Sequence, residues 1–272
     1  MTSMLKYVTQ ASNKLKFNSI EICELKRRHI RFLLDEVKII RKVFSNSRYN
    51  KYRTYIMILL EELMELEAID ANPAKDIRKK KETVVLKDLL TDKQRTDVNT
   101  YLYANYRNFW QFLHIFFHSG SRIIELCRVT AKDVDLENQR CKYLLKKGRA
   151  WVEVWRPIKN SVLELWAAQI KDAKPDDFIF SVGLVPGVVK ISSSQIGRRW
   201  NRLVKKNKAL GITADFYSLK HLNTDETAAE LDLKDAAAQN SHTSTVITMK
   251  HYALGEKERQ NERLKNVANK FA

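Results

Sequence analysis

The chain has 272 residues, 44% of them apolar, enough for two small cores, with only 7 Gly and 4 Pro. Average usage would give about 19 Gly, so tight turns are few and helix is expected to dominate. Against 32 Asp and Glu stand 49 Lys and Arg, a net charge of +17, which opposes compaction unless a polyanion neutralises it. Nucleic acid is therefore the leading partner. No helix sets concentrated charge against a large apolar face, which argues against a membrane-surface protein. The longest apolar run, Ile56 to Leu60 after Tyr55, is far short of a span, and no leader segment is visible. Three cysteines, Cys23, Cys127 and Cys141, lack ligand spacing and lie in apolar-patterned segments. They read as buried free thiols in a reducing compartment.

Residues 1–17 are polar and basic with weak patterning. Asn18-Ser19 reads as a helix start, followed by Ile30, Leu33, Leu34, Val37, Ile40 and Phe44 at three- and four-residue steps. Ser45-Asn46-Ser47 breaks this helix. A second one carries a broad stripe of Tyr52, Tyr55, Ile56, Leu59, Leu60, Leu63, Met64 and Leu66, with Lys51 and Arg53 in a polar patch at its start. Asn72-Pro73 biases the chain out of helix, and the basic run Arg78 to Lys81 reads as a linker. The domain reading is accordingly 1–80 and 84–272.

Beyond the linker, Leu86, Leu89 and Leu90 suggest a short helix. Residues 101–117 are so apolar and aromatic that their helix must be buried nearly all round. It ends at His118-Ser119-Gly120, and Ser121-Arg122-Ile123-Ile124-Glu125-Leu126 opens the next. Two strands, Gln139–Leu145 and Ala150–Ile158, flank a basic turn, Lys146-Lys147-Gly148-Arg149. Leu163 to Ile170 is helical, residues 183–194 form a loop, and Ser192 caps a strongly basic helix. Arg198, Arg199 and Arg202 crowd one side of that helix, a phosphate-tracking face. A helix opens at Asp215-Phe216-Tyr217-Ser218-Leu219-Lys220-His221, a short Ala-rich one follows, and Ser241-His242-Thr243-Ser244 leads to Lys250-His251-Tyr252. The polar, helical tail carries Leu264, Val267 and Phe271 on one stripe.

These residues resemble a known family, the tyrosine recombinases or phage-type integrases. Ser119-Gly120-Ser121-Arg122-Ile123-Ile124-Glu125-Leu126 is similar to the Thr-Gly-Leu-Arg-x-x-Glu-Leu box that holds the first catalytic arginine. The basic hairpin resembles the one that delivers a catalytic lysine. Leu219-Lys220-His221 resembles Leu-Arg-His, His242-Thr243-Ser244 the Gly-His-Ser/Thr-Ser run, and Tyr252 the nucleophile. Residues 52–74 resemble the exit of the family's helical core-binding domain.

The resemblance implies a mainly α fold with a small antiparallel β-sheet, in two domains: a helical core-type DNA-binding domain and a catalytic domain. It implies a site-specific recombinase that cuts and rejoins duplex DNA through a 3′-phosphotyrosyl intermediate, with no metal or other cofactor. The implied catalytic residues are Arg122, Lys147, Lys220, His242 and Tyr252, with Lys146, Tyr217 and His221 as further candidates. Lys51, Arg53, Arg149, Arg198, Arg199 and Arg202 are the DNA-contact candidates. The family pairs protomers on core sites, forms tetramers in the synapse and exchanges a C-terminal segment, and it acts in the bacterial cytoplasm, often from phages or mobile elements.

Several positions depart from the family pattern. The second box reads His-x-x-Arg in the family and Tyr217-x-x-Lys220 here. Lys is a point charge without the guanidinium fork. Ser241 stands where Gly is usual, and His242 and Tyr252 are ten residues apart rather than nine. A second reading is therefore a recombinase-fold protein that binds DNA with weak or lost cleavage. A third, from another class, is a basic helical scaffold or RNA-binding protein without chemistry.

Overall fold

The computed structural model describes residues 2–83, 88–242, 244–251 and 255–265. It divides into two compact units, Met1–Leu86 and Lys87–Ala272. In the first unit three helices surround the core: α1 (Thr2–Lys14), α2 (Arg27–Arg41) and α3 (Asn46–Glu65). Ile30, Leu33, Leu34 and Val37 of α2 are buried against Tyr49, Tyr52, Ile56 and Leu60 of α3, as their periodicity demands. The weakly patterned first segment is the difference. It forms α1 because Met4, Tyr7, Val8 and Ala11 recur at helical steps, and the small, buried Ala11 lets the helix pack close to α2. The start of α2 also shifts: residues 17–19 and 22–24 are 3-10 turns instead. On α3 the broad apolar stripe splits, with Tyr55, Leu59 and Leu66 exposed.

Local polar groups close this unit. Ser45 caps α3, accepting from the Arg48 amide at 3.2 Å. Asn72 donates to the Met57 carbonyl at 2.9 Å and accepts from the Ala74 amide at 2.9 Å, a turn of the type Asn-Pro favours.

The second unit is built around α5 (Arg107–Ser119). The single long helix expected there is two, because the chain breaks at Tyr106, φ −144°, after α4 (Asp92–Asn105). Thr91 and Gln94 cap α4 reciprocally. No helix precedes it at residues 88–90, and Leu86 lies outside the described residues. Phe109, Phe112 and Phe116 stack along α5 and meet Phe180 and Phe216, with Phe112 at 4.7 Å from Phe180 edge-on. Such rings contribute the largest apolar areas of a core.

After the one-turn α6 (Ile123–Leu126) come three antiparallel strands in the order β1 (Val134–Asp135), β2 (Arg140–Lys147) and β3 (Ala150–Pro157). Lys147 pairs with Ala150, so Gly148-Arg149 is a two-residue hairpin turn, with Gly148 at φ +61°. Cys141, Tyr143 and Leu145 point into the core on alternate positions. The remaining helices are α7 (Leu163–Ile170), α8 (Ser193–Trp200), extended by a π-turn over Asn201–Lys205, α9 (Ser218–Glu230), α10 (Leu233–Gln239), α11 (Thr245–His251) and α12 (Glu256–Lys265).

Mostly helix with one small antiparallel sheet is the expected fold class. No helix among the described residues is long and apolar enough to cross a membrane. Cys127 and Cys141 are buried free thiols, but Cys23 is exposed, because its segment became a surface 3-10 turn rather than part of α2.

Candidate active site

The site assembles where the ends of α5, β3, α9 and α10 converge. The Ser119-Gly120-Ser121-Arg122 turn comes first. Gly120 terminates α5 at φ +62°, and a Cβ there would meet Cγ of Gln239 at 2.8 Å and its carbonyl oxygen at 3.0 Å. Ser119 and Ser121 brace the turn with a 2.7 Å hydroxyl contact. Gly120→Ala is therefore expected to lower stability by about 1–2 kcal/mol for the left-handed backbone alone, with the clash adding to it; a urea-unfolding midpoint checks this.

Arg122 leaves that turn with its side chain 44% exposed, while Nη1 donates to Glu125 Oε1 at 2.8 Å and its amide to Oε2 at 2.9 Å. The buried Glu125 also receives both terminal amines of Arg156, each at 3.2 Å. Burial would raise the Glu125 pKa, but Arg156, the Arg122 amide and the neighbouring cations outweigh it and hold the carboxyl below its usual range.

Arg156, 2% exposed, was missed by reasoning from the sequence. It pairs with Cys141 across β2–β3 and lies 4.7 Å over the Tyr143 ring. The available signal was strand parity: Val152, Val154 and Arg156 share one face, and a lone Arg at its end needs an interior partner.

Lys220 approaches from the first turn of α9. It is buried and donates to the Gly120 carbonyl. Burial first, then the charges of Arg156 and Arg122, pull its pKa down to about 7, with Glu125 opposing. Tyr217, one turn earlier, is half-buried and packs edge-on against the buried His221 ring at 5.5 Å.

His242 follows α10. Its Nδ1 lies 2.8 Å from Thr248 Oγ1. Burial, then Lys220, Arg122 and Arg156, lower its pKa to about 4, so the imidazole is neutral at pH 7. Arg122, Glu125, Arg156, Lys220 and His242 thus form one electrostatic cluster in which basic groups outnumber the single carboxylate, an arrangement suited to an anion.

The hairpin lysines sit elsewhere on the unit. Lys146 and Lys147 are exposed at the end of β2, Lys146 within 5.9 Å of the Trp151 ring. Among the contacts described, none joins them to the cluster. Tyr252 lies outside the described residues.

Of the DNA-contact candidates, Lys51, Arg149, Arg198 and Arg202 are exposed. Arg199 is half-buried and donates to the Val182 carbonyl. Arg53 is buried in the first unit, its guanidinium directed at the carbonyls of Ile77 and Lys75. Among the described residues no group of three or more His, Cys, Asp or Glu is placed to hold a metal ion.

The profile of the phage integrase family matches residues 90–259, which contain every member of the cluster. The chain belongs to the phage integrase family. This family comprises the tyrosine recombinases, which places the chain among site-specific recombinases. Solved integrases share the fold. The Tn1549 transposon integrase, in complex with transposon right end DNA, superimposes with a TM-score of 0.73 at 19% identity, covering 97% of this chain and 93% of that one. A lambda integrase dimer bound to a COC′ core site gives 0.68 at 15% identity, covering 91% and 90%. A lambda integrase tetramer bound to a Holliday junction gives 0.67 at 14%, covering 90% and 69%. Curated protein sequences gave no match.

Proposed function

We propose that this integrase cuts and rejoins duplex DNA through a covalent 3′-phosphotyrosyl intermediate on Tyr252. The observation that carries the reading is the cluster itself: Arg122, Arg156, Lys220 and the neutral His242 gathered around one buried carboxylate. A scissile phosphodiester is anionic and concentrates charge in its pentavalent transition state, so preplaced cations and donors are the main catalytic device.

In this reading the Arg122 guanidinium grips the non-bridging oxygens, with Glu125 holding it in place. Lys220 supplies a second cation. His242, accepting at Nδ1 from Thr248, carries its proton on Nε2 and donates it toward the phosphate. Tyr252 Oη attacks phosphorus as its phenolic proton passes to solvent, the P–O5′ bond breaks, and Lys147 or Lys146 protonates the departing 5′ oxygen once the hairpin closes on DNA. No step calls for a metal ion. The first unit acts as the core-type DNA-binding domain, residues 84–272 as the catalytic domain. Lys51, Arg149, Arg198 and Arg202 contact backbone phosphates, and protomers assemble as dimers and tetramers, consistent with the assemblies seen for lambda integrase.

One observation favours the weak-cleavage reading. Lys220, where the family carries Arg, is buried on the Gly120 carbonyl and half-titrated near pH 7. One assay separates the two readings. A duplex selected from a random pool for binding, then nicked near its centre, should give an adduct that survives detergent. Mass spectrometry should place the DNA phosphate on Tyr252. An adduct on another residue overturns the Tyr252 assignment, and tight binding without any adduct supports the binding-only reading.

A further inference from the structure

Ser241 occupies a position built for glycine. It has φ +54°, its amide donates to the Ala238 carbonyl at 2.9 Å, and the His242 amide donates to the Ala237 carbonyl at 2.9 Å. With Asn240 as the C-cap of α10, these two bonds form a Schellman turn with Ser241 at the left-handed position. Glycine takes that conformation without a Cβ penalty, so a serine there calls for a reason. Its hydroxyl has one: it accepts from Arg156 Nε at 3.1 Å.

Arg156 thereby uses both ends of its fork. The terminal amines hold Glu125, which holds Arg122, and Nε holds the turn from which His242 emerges. All three of its guanidinium nitrogens are engaged within the protein, Nη1 and Nη2 by Glu125 and Nε by Ser241. We propose that Arg156 is a positioning residue that sets Arg122, through Glu125, and His242, through the Ser241 hydroxyl, in one fixed geometry. This rests on the recombinase reading. It also explains the missing glycine, because the hydroxyl that joins the turn to β3 replaces backbone freedom.

The test is Ser241→Gly in the full chain, alone and with Arg156→Lys, which keeps the charge but not the fork. A merely structural serine predicts that Ser241→Gly is as stable and as active as the native chain, because Gly suits the turn better. Positioning predicts unchanged or raised thermal stability, unchanged duplex affinity, and adduct formation slowed about tenfold, the order of one hydrogen bond's worth of lost alignment of His242. In the Arg156→Lys background Ser241→Gly should then cost almost nothing more, since the partner fork is already gone. Full-rate cleavage by Ser241→Gly overturns the proposal.

If the native chain forms no adduct, the recombinase reading fails instead, and the His242 titration followed by NMR decides the coupling. His242 shifted out of its buried seat and away from Lys220, Arg122 and Arg156 should titrate nearer its ordinary 6.5 in Ser241→Gly, whereas an unmoved titration overturns the proposal.

Discussion

Lys220→Met is expected to slow DNA cleavage by about 10²–10³-fold while leaving duplex affinity nearly unchanged. Removing one preplaced donor from a charge-stabilising site typically costs that much, and loss in kcat rather than in binding marks an interaction made in the transition state. Lys220 is also expected to give the reaction a distinctive pH dependence. In the free protein its pKa is drawn to about 7, by burial first and then by Arg156 and Arg122. The kcat/KM profile, which reports the free enzyme, should therefore fall as pH rises through about 7. Bound phosphate favours the charged amine, so the corresponding limb of kcat should lie at higher pH. Lys220→Arg keeps its charge throughout this range and should lose that alkaline limb; a limb that persists in Lys220→Arg belongs to another group.

Stability carries the same signature. The folded pKa of about 7 lies below the ordinary 10.5, so between these values the unfolded chain binds more protons. Stability from this group is thus fully present above pH 10.5 and lost as pH falls through 7. Urea unfolding across that window should show a positive slope that Lys220→Met removes.

Glu125→Leu should destabilise the second unit by about 3–5 kcal/mol, because it leaves Arg156 buried without its counter-charge. That is a large share of the roughly 5–15 kcal/mol that holds a typical domain. Glu125→Leu combined with Arg156→Met should recover most of the loss, since an apolar pair of similar volume commonly matches a buried ion pair. Recovery of stability without recovery of cleavage would separate the pair's contribution to folding from its part in the site. A double variant as unstable as Glu125→Leu would show that packing at this point, not the uncompensated charge, dominates.

Acid should act through the same carboxyl. Despite the upward push of burial, Arg156 and Arg122 hold the Glu125 pKa below its ordinary 4.5. Its contribution is present above pH 4.5 and is lost as pH falls through the depressed folded value. Thermal melts of Glu125→Gln should lack that acid-side decline.

Most elements were legible from periodicity and punctuation. The α2 face, the α5 aromatics and the β2–β3 hairpin each carry a pattern that only one local structure satisfies. α1 was not, since a helix with one small buried residue and three half-buried ones looks polar in isolation. The break at Tyr106 carries no Gly or Pro to announce it. On α3, apolar residues on both sides left the choice of buried face to the neighbouring helices.

The site divides in the same way. Arg122, Lys220 and His242 could be singled out because each sits in a short local run with a recognisable order, and the charge excess already called for a polyanion; Glu125 stood only as part of the Arg122 run, with no role of its own. Arg156 was not, because strand parity was its one signal and a guanidinium at the end of a strand looks like a surface charge until the pairing with Cys141 turns it inward. Nor could the reason for Ser241 in a glycine's place, since its partner lies 85 residues away in the chain. By itself the sequence determined the family, the helical character and the basic groups available for the chemistry. Which of those groups are buried, which carboxylate binds them and how their pKa values move were decided by tertiary structure alone. Desolvation and Coulomb interaction depend on distances in space that chain order does not encode.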